Sequence, residues 1–217
     1  MLYLHLVPQL LKFSDQLPPL HLESDPFGQG FLDEIAKVQS KTRDFRLKTI
    51  ENILSKVIPN LKQLIFKKDD ATGRPHLEMR YDHWRPDAGW QREDQFSDGT
   101  LRLIATLWTL LSSNSMILLE EPELSLHTKV VEQIPELIYK TRQYRKKSGG
   151  QILISTHSEA MLSSKSIDGN YLILKPGDDG EATKIEAPSD DDETAMKAGL
   201  SPADVLLPKT SSTIQRV

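Results

Sequence analysis

Residues 115–127 read SMILLEEPELSLH, and the rest of the chain is best read outward from them. Met116-Ile117-Leu118-Leu119 is an apolar run with the length and composition of a strand buried on both faces. It ends in two adjacent carboxylates, Glu120 and Glu121, and Pro122 then removes the amide that further sheet pairing needs. In open α/β sheets, ligands bind beyond the carboxyl ends of the strands. Two acids placed there can hold a hard cation and orient a water. An apolar strand closed by acids is also a common structural feature, so the stretch needs its neighbours.

Upstream lies FSDGT, Phe96 to Thr100, followed by a helical stripe of Leu101, Ile104, Ala105, Trp108 and Leu111. Ser97 and Asp98 are good N-cap residues, and Gly99 lets a backbone approach closely. A polar, glycine-containing helix start presents amides and a dipole to an anion. Any ordinary capped helix shares those features. Downstream, QILIST makes a second buried strand that runs into His157, whose imidazole can hydrogen-bond in either protonation state.

Taken together, SDGT, EEPELSLH and STHS resemble the signature, Walker B and switch-histidine elements of ABC-type P-loop ATPases. The wording is similar to the RecF, SMC and OLD branch, and the resemblance covers roughly residues 60–175. It implies an α/β fold with a parallel sheet core flanked by helices, preceded by a helical segment and a β-hairpin. It also implies ATP and Mg²⁺ as cofactors. Glu120 would serve the metal, and Glu121 and His157 would be catalytic, Glu121 on the attacking water. Ser97, Asp98, Gly99 and Thr100 would contact nucleotide held by an opposite subunit. PELSLH would be the loop that crosses a homodimer interface. Within the signature two positions depart from the pattern: Asp98 stands for the first glycine and Thr100 for the usual glutamine. At the metal position Glu120 replaces the commoner aspartate.

One element is missing. No GxxxxGK[ST] stretch occurs; Gly28 and Gly30 lie in DPFGQGFLDE, and Gly73 is followed by Arg74. The chain therefore reads as the C-terminal half of such an ATPase, an enzyme only if completed by a Walker A-bearing half or subunit. A fragment, a split enzyme and a degenerate relative all fit. The alternative function is a non-catalytic module that lends its signature face in trans. Family analogy alone links the reading to DNA repair, maintenance or defence, with DNA as a partner.

Composition bounds the rest. Net charge is −4, so nucleic-acid binding needs a local site, and no cysteine is present to form disulfides or thiolate metal sites. No apolar run reaches the roughly 20 residues of a membrane span, and the expected location is cytoplasmic.

Along the chain, residues 1–60 read as a helical and irregular segment, with 1–30 irregular or extended. A helix is expected on Ile50, Ile53, Leu54, Val57 and Leu61. LKQLIFKK and HLEMRYDH read as a hairpin around DDATGRP. Residues 61–175 form the core. Arg80 to Arg92 interleaves aromatics with cations, which can stack on bases or pack against a neighbouring lobe. A helix over Thr128–Arg145 should kink or restart at Pro135, ending in basic YKTRQYRKK before Gly149 and Gly150. Residues 176–217 hold short strands about PGDDG, a solvated acidic run at Asp190–Glu193, a short helix and a frayed end.

Overall fold

The computed structural model describes residues 1–14, 18, 25–85, 88–144, 150–164, 169–177 and 182–210 of the 217. In chain order the elements are β1 (Leu2–Leu4), α1 (Pro8–Lys12), α2 (Phe31–Lys37), α3 (Ser40–Leu54), β2 (Leu61–Lys68), β3 (Pro75–Tyr81) and β4 (Trp90–Arg92). Then follow α4 (Asp98–Ser112), β5 (Ile117–Glu120), α5 (Thr128–Val131), α6 (Ile134–Gln143), β6 (Ile152–Ser155) and α7 (Glu159–Leu162). A hairpin, β7 (Ile173–Pro176) and β8 (Thr183–Glu186), and the helices α8 (Asp190–Lys197) and α9 (Pro202–Leu206) complete it.

The strand that ends in Glu120 lies at the centre of a parallel sheet ordered β1-β5-β6. Helix α4 covers it. Twelve of that helix's fifteen residues are buried, because α1, α3 and α6 pack around it. Trp108, Leu101 and Ile104 have no measurable exposure, and each buried side chain of this size contributes about 1.5–3 kcal/mol. A second, antiparallel sheet, β2-β3-β4, lays Leu64, Leu77 and Met79 into the same core against α2 and α3.

Several sequence expectations meet a different outcome. Residues 1–30, read as irregular or extended, hold the helix α1, and their extended part joins the central sheet, with Leu2, Tyr3 and Leu4 opposite Ile117, Leu118 and Leu119. Three residues are too few for periodicity to reveal, and tertiary pairing makes the strand. The helix expected to reach Leu61 stops at Leu54, and Leu61 opens β2. Asn60 turns the chain in the left-handed region (φ 63°), which asparagine tolerates. The hairpin gains a third strand, β4. The acidic run is the first turn of α8 rather than a lead-in to it; Asp190, Asp191 and Glu193 are exposed as expected, whereas Ser189 caps the helix and Asp192 is buried against Ser189 and Lys209.

Pro135 restarts the helix as expected, standing in the first turn of α6 after α5 has ended. The expectations placed on Pro19, Arg145–Gly149, Asp178–Gly180 and the end after Thr210 lie outside the described residues. Among the described residues no helix is long and apolar enough to cross a membrane.

Candidate functional site

Parallel pairing aligns the carboxyl ends of β5 and β6, with Glu120 opposite Ser155. The Glu121 amide still donates to the Ser155 carbonyl (3.1 Å), after which the chain leaves the sheet. Glu121 does so at φ 41° and Ser125 at φ 65°, both in the left-handed region that β-carbons disfavour. Such a residue costs about 1–3 kcal/mol and persists where its surroundings over-determine it. Between them, Leu124 N donates to Glu121 O and Leu126 N to Glu123 O, each at 3.1 Å, so the PELSLH loop is wound tightly back.

That winding explains Gly99. A β-carbon there would sit 2.5 Å from Leu126 Cδ2 and 2.6 Å from the Ser125 carbonyl. The close approach inferred from the glycine is therefore to the chain's own loop. The neighbouring signature residues are also engaged internally. Ser97 Oγ accepts from the Thr100 amide (3.1 Å) and donates to Thr100 Oγ1 (2.8 Å). Asp98 is held by Lys12 Nζ (2.7 Å) and Gln9 Nε2 (3.3 Å) from α1. The turn is thus a rigid, capped helix start whose first amides have no intrahelical acceptor.

Glu120 and Glu121 are both part-buried, and their surroundings differ. Glu120 Oε2 accepts from the Tyr3 hydroxyl and lies 3.2 Å from His5 Nδ1, though without hydrogen-bond alignment at the histidine. The bond to Glu120, more than burial or Coulomb repulsion, raises the Tyr3 pKa. Glu121 Oε1 lies 4.0 Å from His157 Nε2, and the His157 ring is 84% exposed. Thr156 donates to Glu123. So Glu120, Glu121 and His157 share one end of the sheet. The Ser97–Thr100 turn joins that end through the PELSLH loop.

Beneath the acids lies Arg102, on α4 and only 7% exposed. Its Nε and Nη1 have no hydrogen-bond partner. Burial lowers its pKa, while Asp98, Glu121 and Glu123 oppose that shift. It lines a small, partly open pocket with Leu4, Leu6, Thr106, Leu119, Glu120 and Pro122. The sequence reading passes over Tyr3, His5, Lys12 and Arg102. The first three lie in a stretch read as irregular or extended, and Arg102 sits where a helical stripe is otherwise apolar. An arginine interrupting that stripe was the available signal.

Among the described residues no three or more histidine, aspartate or glutamate side chains are grouped to hold a metal. Mg²⁺ does not need such a cage, since it binds through one or two carboxylates plus phosphates and waters.

Comparisons with known proteins bear on the family and the fold. Residues 13–163 match the family described as "AAA domain, putative AbiEii toxin, Type IV TA system". Over 53 residues the chain is 42% identical to the Old nuclease of Escherichia phage P2, a stretch covering 24% of this chain and 8% of that protein. The chain thus spans a small fraction of that relative's length. A structure from work on ATP-driven dimerization and DNA-stimulated activation of SMC ATPases is similar, with TM-score 0.50 and 16% identity over 77% of this chain and 92% of that one. An SMC head bound to the C-winged helix domain of ScpA gives TM-score 0.53 and 17% identity, covering 88% and 55%. At these identities the likeness is one of fold.

Proposed function

The chain belongs to this AAA-domain family, and from that premise we propose that it supplies the carboxylate and signature parts of a composite ATP-hydrolysing site. The observation that carries the reading is Glu121: an acid on strained left-handed backbone at a strand end, beside Glu120 and 4.0 Å from His157. Backbone strain of this kind concentrates where chemistry fixes a side chain.

The residues fit part of what Mg-ATP requires. Glu120 has its second oxygen, Oε1, to offer Mg²⁺, while Tyr3 fixes the first. With Mg-ATP bound, Glu121 would orient the attacking water and take its proton, and His157 would donate a hydrogen bond at the same locus. Ser97, Asp98, Gly99 and Thr100 form the helix start that meets the phosphates of nucleotide on a second copy. Bound Mg-ATP supplies the electrophilic phosphorus.

The phosphate cradle does not fit, because the 217 residues contain no GxxxxGK[ST]. A Walker A-bearing half or subunit would provide it. Strand β6 pairs on one side only among the described residues, which leaves an edge where a further parallel strand can add. By family analogy the role is linked to DNA repair, maintenance or defence, at a cytoplasmic site.

Calorimetric titration with Mg-ATP tests the reading. The chain alone should show no tight binding, and the chain with its cradle-bearing complement should bind and turn over. A micromolar Kd for the chain alone would overturn it. A second reading, a non-catalytic module acting in trans, draws on the preformed Ser97–Thr100 turn. It predicts turnover by the completed complex that is indifferent to Glu121.

A further inference from the structure

The antiparallel sheet has one face in the core and one in solvent, and the outward face is unusual in composition. Pairing of Ile65 with Glu78, Glu78 with Arg92, and Arg80 with Trp90 puts these side chains on the face opposite Leu64, Leu77 and Met79. Trp90 is 36% exposed, with Lys67 Nζ 5.4 Å and Arg80 Cζ 5.7 Å from its ring centroid. Just beyond β3, Trp84 is 80% exposed, with the His83 ring stacked on it at 5.7 Å and Arg85 Cζ 4.4 Å from its centroid. Among the described residues Trp84 is not packed against a neighbouring lobe, the other expectation for these aromatics.

The cations here divide into two kinds. Lys67 is bonded to Glu78 (2.7 Å), and Arg92 lies 3.5 Å from Asp69. Arg80 and Arg85 have no carboxylate partner among the described residues, and each instead flanks an indole. In a chain of net charge −4, this is a local reversal of sign. An exposed indole beside an uncommitted guanidinium matches one repeat of a single strand: a base to stack and a phosphate to neutralise. A duplex hides its base faces and cannot use the indoles. Protein interfaces also use tryptophan and arginine, but as clustered anchors in desolvated pockets, whereas here each indole stands apart with its own cation.

We propose that the outward face of β2, β3 and β4, with His83–Arg85, binds single-stranded nucleic acid, Trp84 and Trp90 stacking bases while Arg80 and Arg85 contact phosphates. The proposal deepens the DNA-linked part of the function above and needs no nucleotide turnover. Binding is therefore measured without ATP, so that failure of either leaves the other standing.

The test is fluorescence anisotropy of the whole chain with a labelled oligodeoxythymidine of about 16 nucleotides. Oligouridine, a duplex of equal length and heparin serve as comparison ligands, and salt is varied. The single strands should bind more tightly than the duplex, and their ratio tells deoxyribose from ribose preference. Trp84→Ala should weaken binding roughly 5- to 150-fold, Trp84→Phe should retain most of it, and tryptophan emission should be quenched on binding. Arg85→Gln should flatten the dependence of log affinity on log salt by about 0.7. Because Trp84 is exposed, its replacement should leave the circular dichroism spectrum unchanged. Wild-type affinity in the Trp84→Ala, Trp90→Ala double variant would overturn the proposal. So would heparin binding as tightly as the oligonucleotides with emission unchanged. Failure of both single strands to bind would also overturn it, and would assign the face to a protein.

Discussion

Around the antiparallel sheet the buried carboxylates are saturated. Glu93 takes the His76 ring on one oxygen (2.8 Å) and the Leu77 amide on the other (2.9 Å). Glu51 takes Lys48 and the Leu64 amide. At the carboxyl end of the parallel sheet the opposite holds. Five buried side-chain atoms lack a hydrogen-bond partner among the described residues, and four of them, on His5, Arg102 and Glu123, gather there. The same core supports both regions, so poor packing does not explain the contrast. Buried polar groups left unbonded cost stability and call for a reason. On the function proposed above, the strand ends are arranged for ligand groups rather than for folding.

Removing function from the second region is the most forceful way to probe that contrast. Glu121→Gln keeps the shape of the side chain and deletes the charge that takes a proton. In the complex completed by a cradle-bearing partner, turnover should fall by about 10²–10⁴-fold while nucleotide still binds. Single-turnover measurements beside a binding titration separate the two effects. Unchanged turnover would leave the strained backbone at Glu121 without a chemical purpose and would favour the non-catalytic reading.

A paired substitution sharpens the comparison through stability. Arg102→Met replaces a buried guanidinium with two unbonded nitrogens by an apolar chain of similar length. The change relieves two desolvated nitrogens but takes the cation away from Asp98, Glu121 and Glu123, so the fold should lose less than the roughly 3–5 kcal/mol of a broken hydrogen-bonded buried pair, while activity of the completed complex drops. Glu93→Leu, in the saturated region, orphans the Leu77 amide and the His76 ring and should cost about 1–3 kcal/mol. Urea midpoints of both variants decide the matter. A loss above about 3 kcal/mol for Arg102→Met would mean that its surroundings bond it after all.

The two regions were also unequally legible in the sequence. Glu120, Glu121 and His157 could be placed because an apolar run ending in polar residues marks a strand end, and two such ends lie together when the strands are parallel. Tyr3, His5 and Lys12 could not. Their positions follow from a three-residue strand made by pairing with β5, which no local pattern encodes. Gly99 was legible as a close approach but not as to what, since Leu126 meets it only through two left-handed residues, Glu121 and Ser125. The antiparallel sheet was read from alternation and from the turn at Gly73. Its third strand, β4, was too short to read.

The smallest effect expected lies in the turn of the saturated region. Asp69 Oδ1 accepts from the amides of Ala71 (3.0 Å) and Thr72 (2.9 Å) and from the Thr72 hydroxyl (3.0 Å), with Arg92 Nη2 3.5 Å from Oδ2. These bonds, the Thr72 amide first, lower its pKa from 3.8 to about 2. A carboxylate depressed in the folded state adds stability at pH values above its unfolded pKa, and that contribution disappears as pH falls through the folded value. The window for Asp69 therefore runs from about pH 4 down to about pH 2. Asp69→Asn retains an oxygen for the turn and loses only the charge. It should be modestly less stable than wild type near neutral pH, and the gap should close as acid protonates Asp69. Urea midpoints compared near pH 7 and near pH 3 read this directly. A gap that stays constant with pH would locate the loss in turn geometry rather than charge, and the saturation of this region would then owe less to electrostatics than its bonding implies.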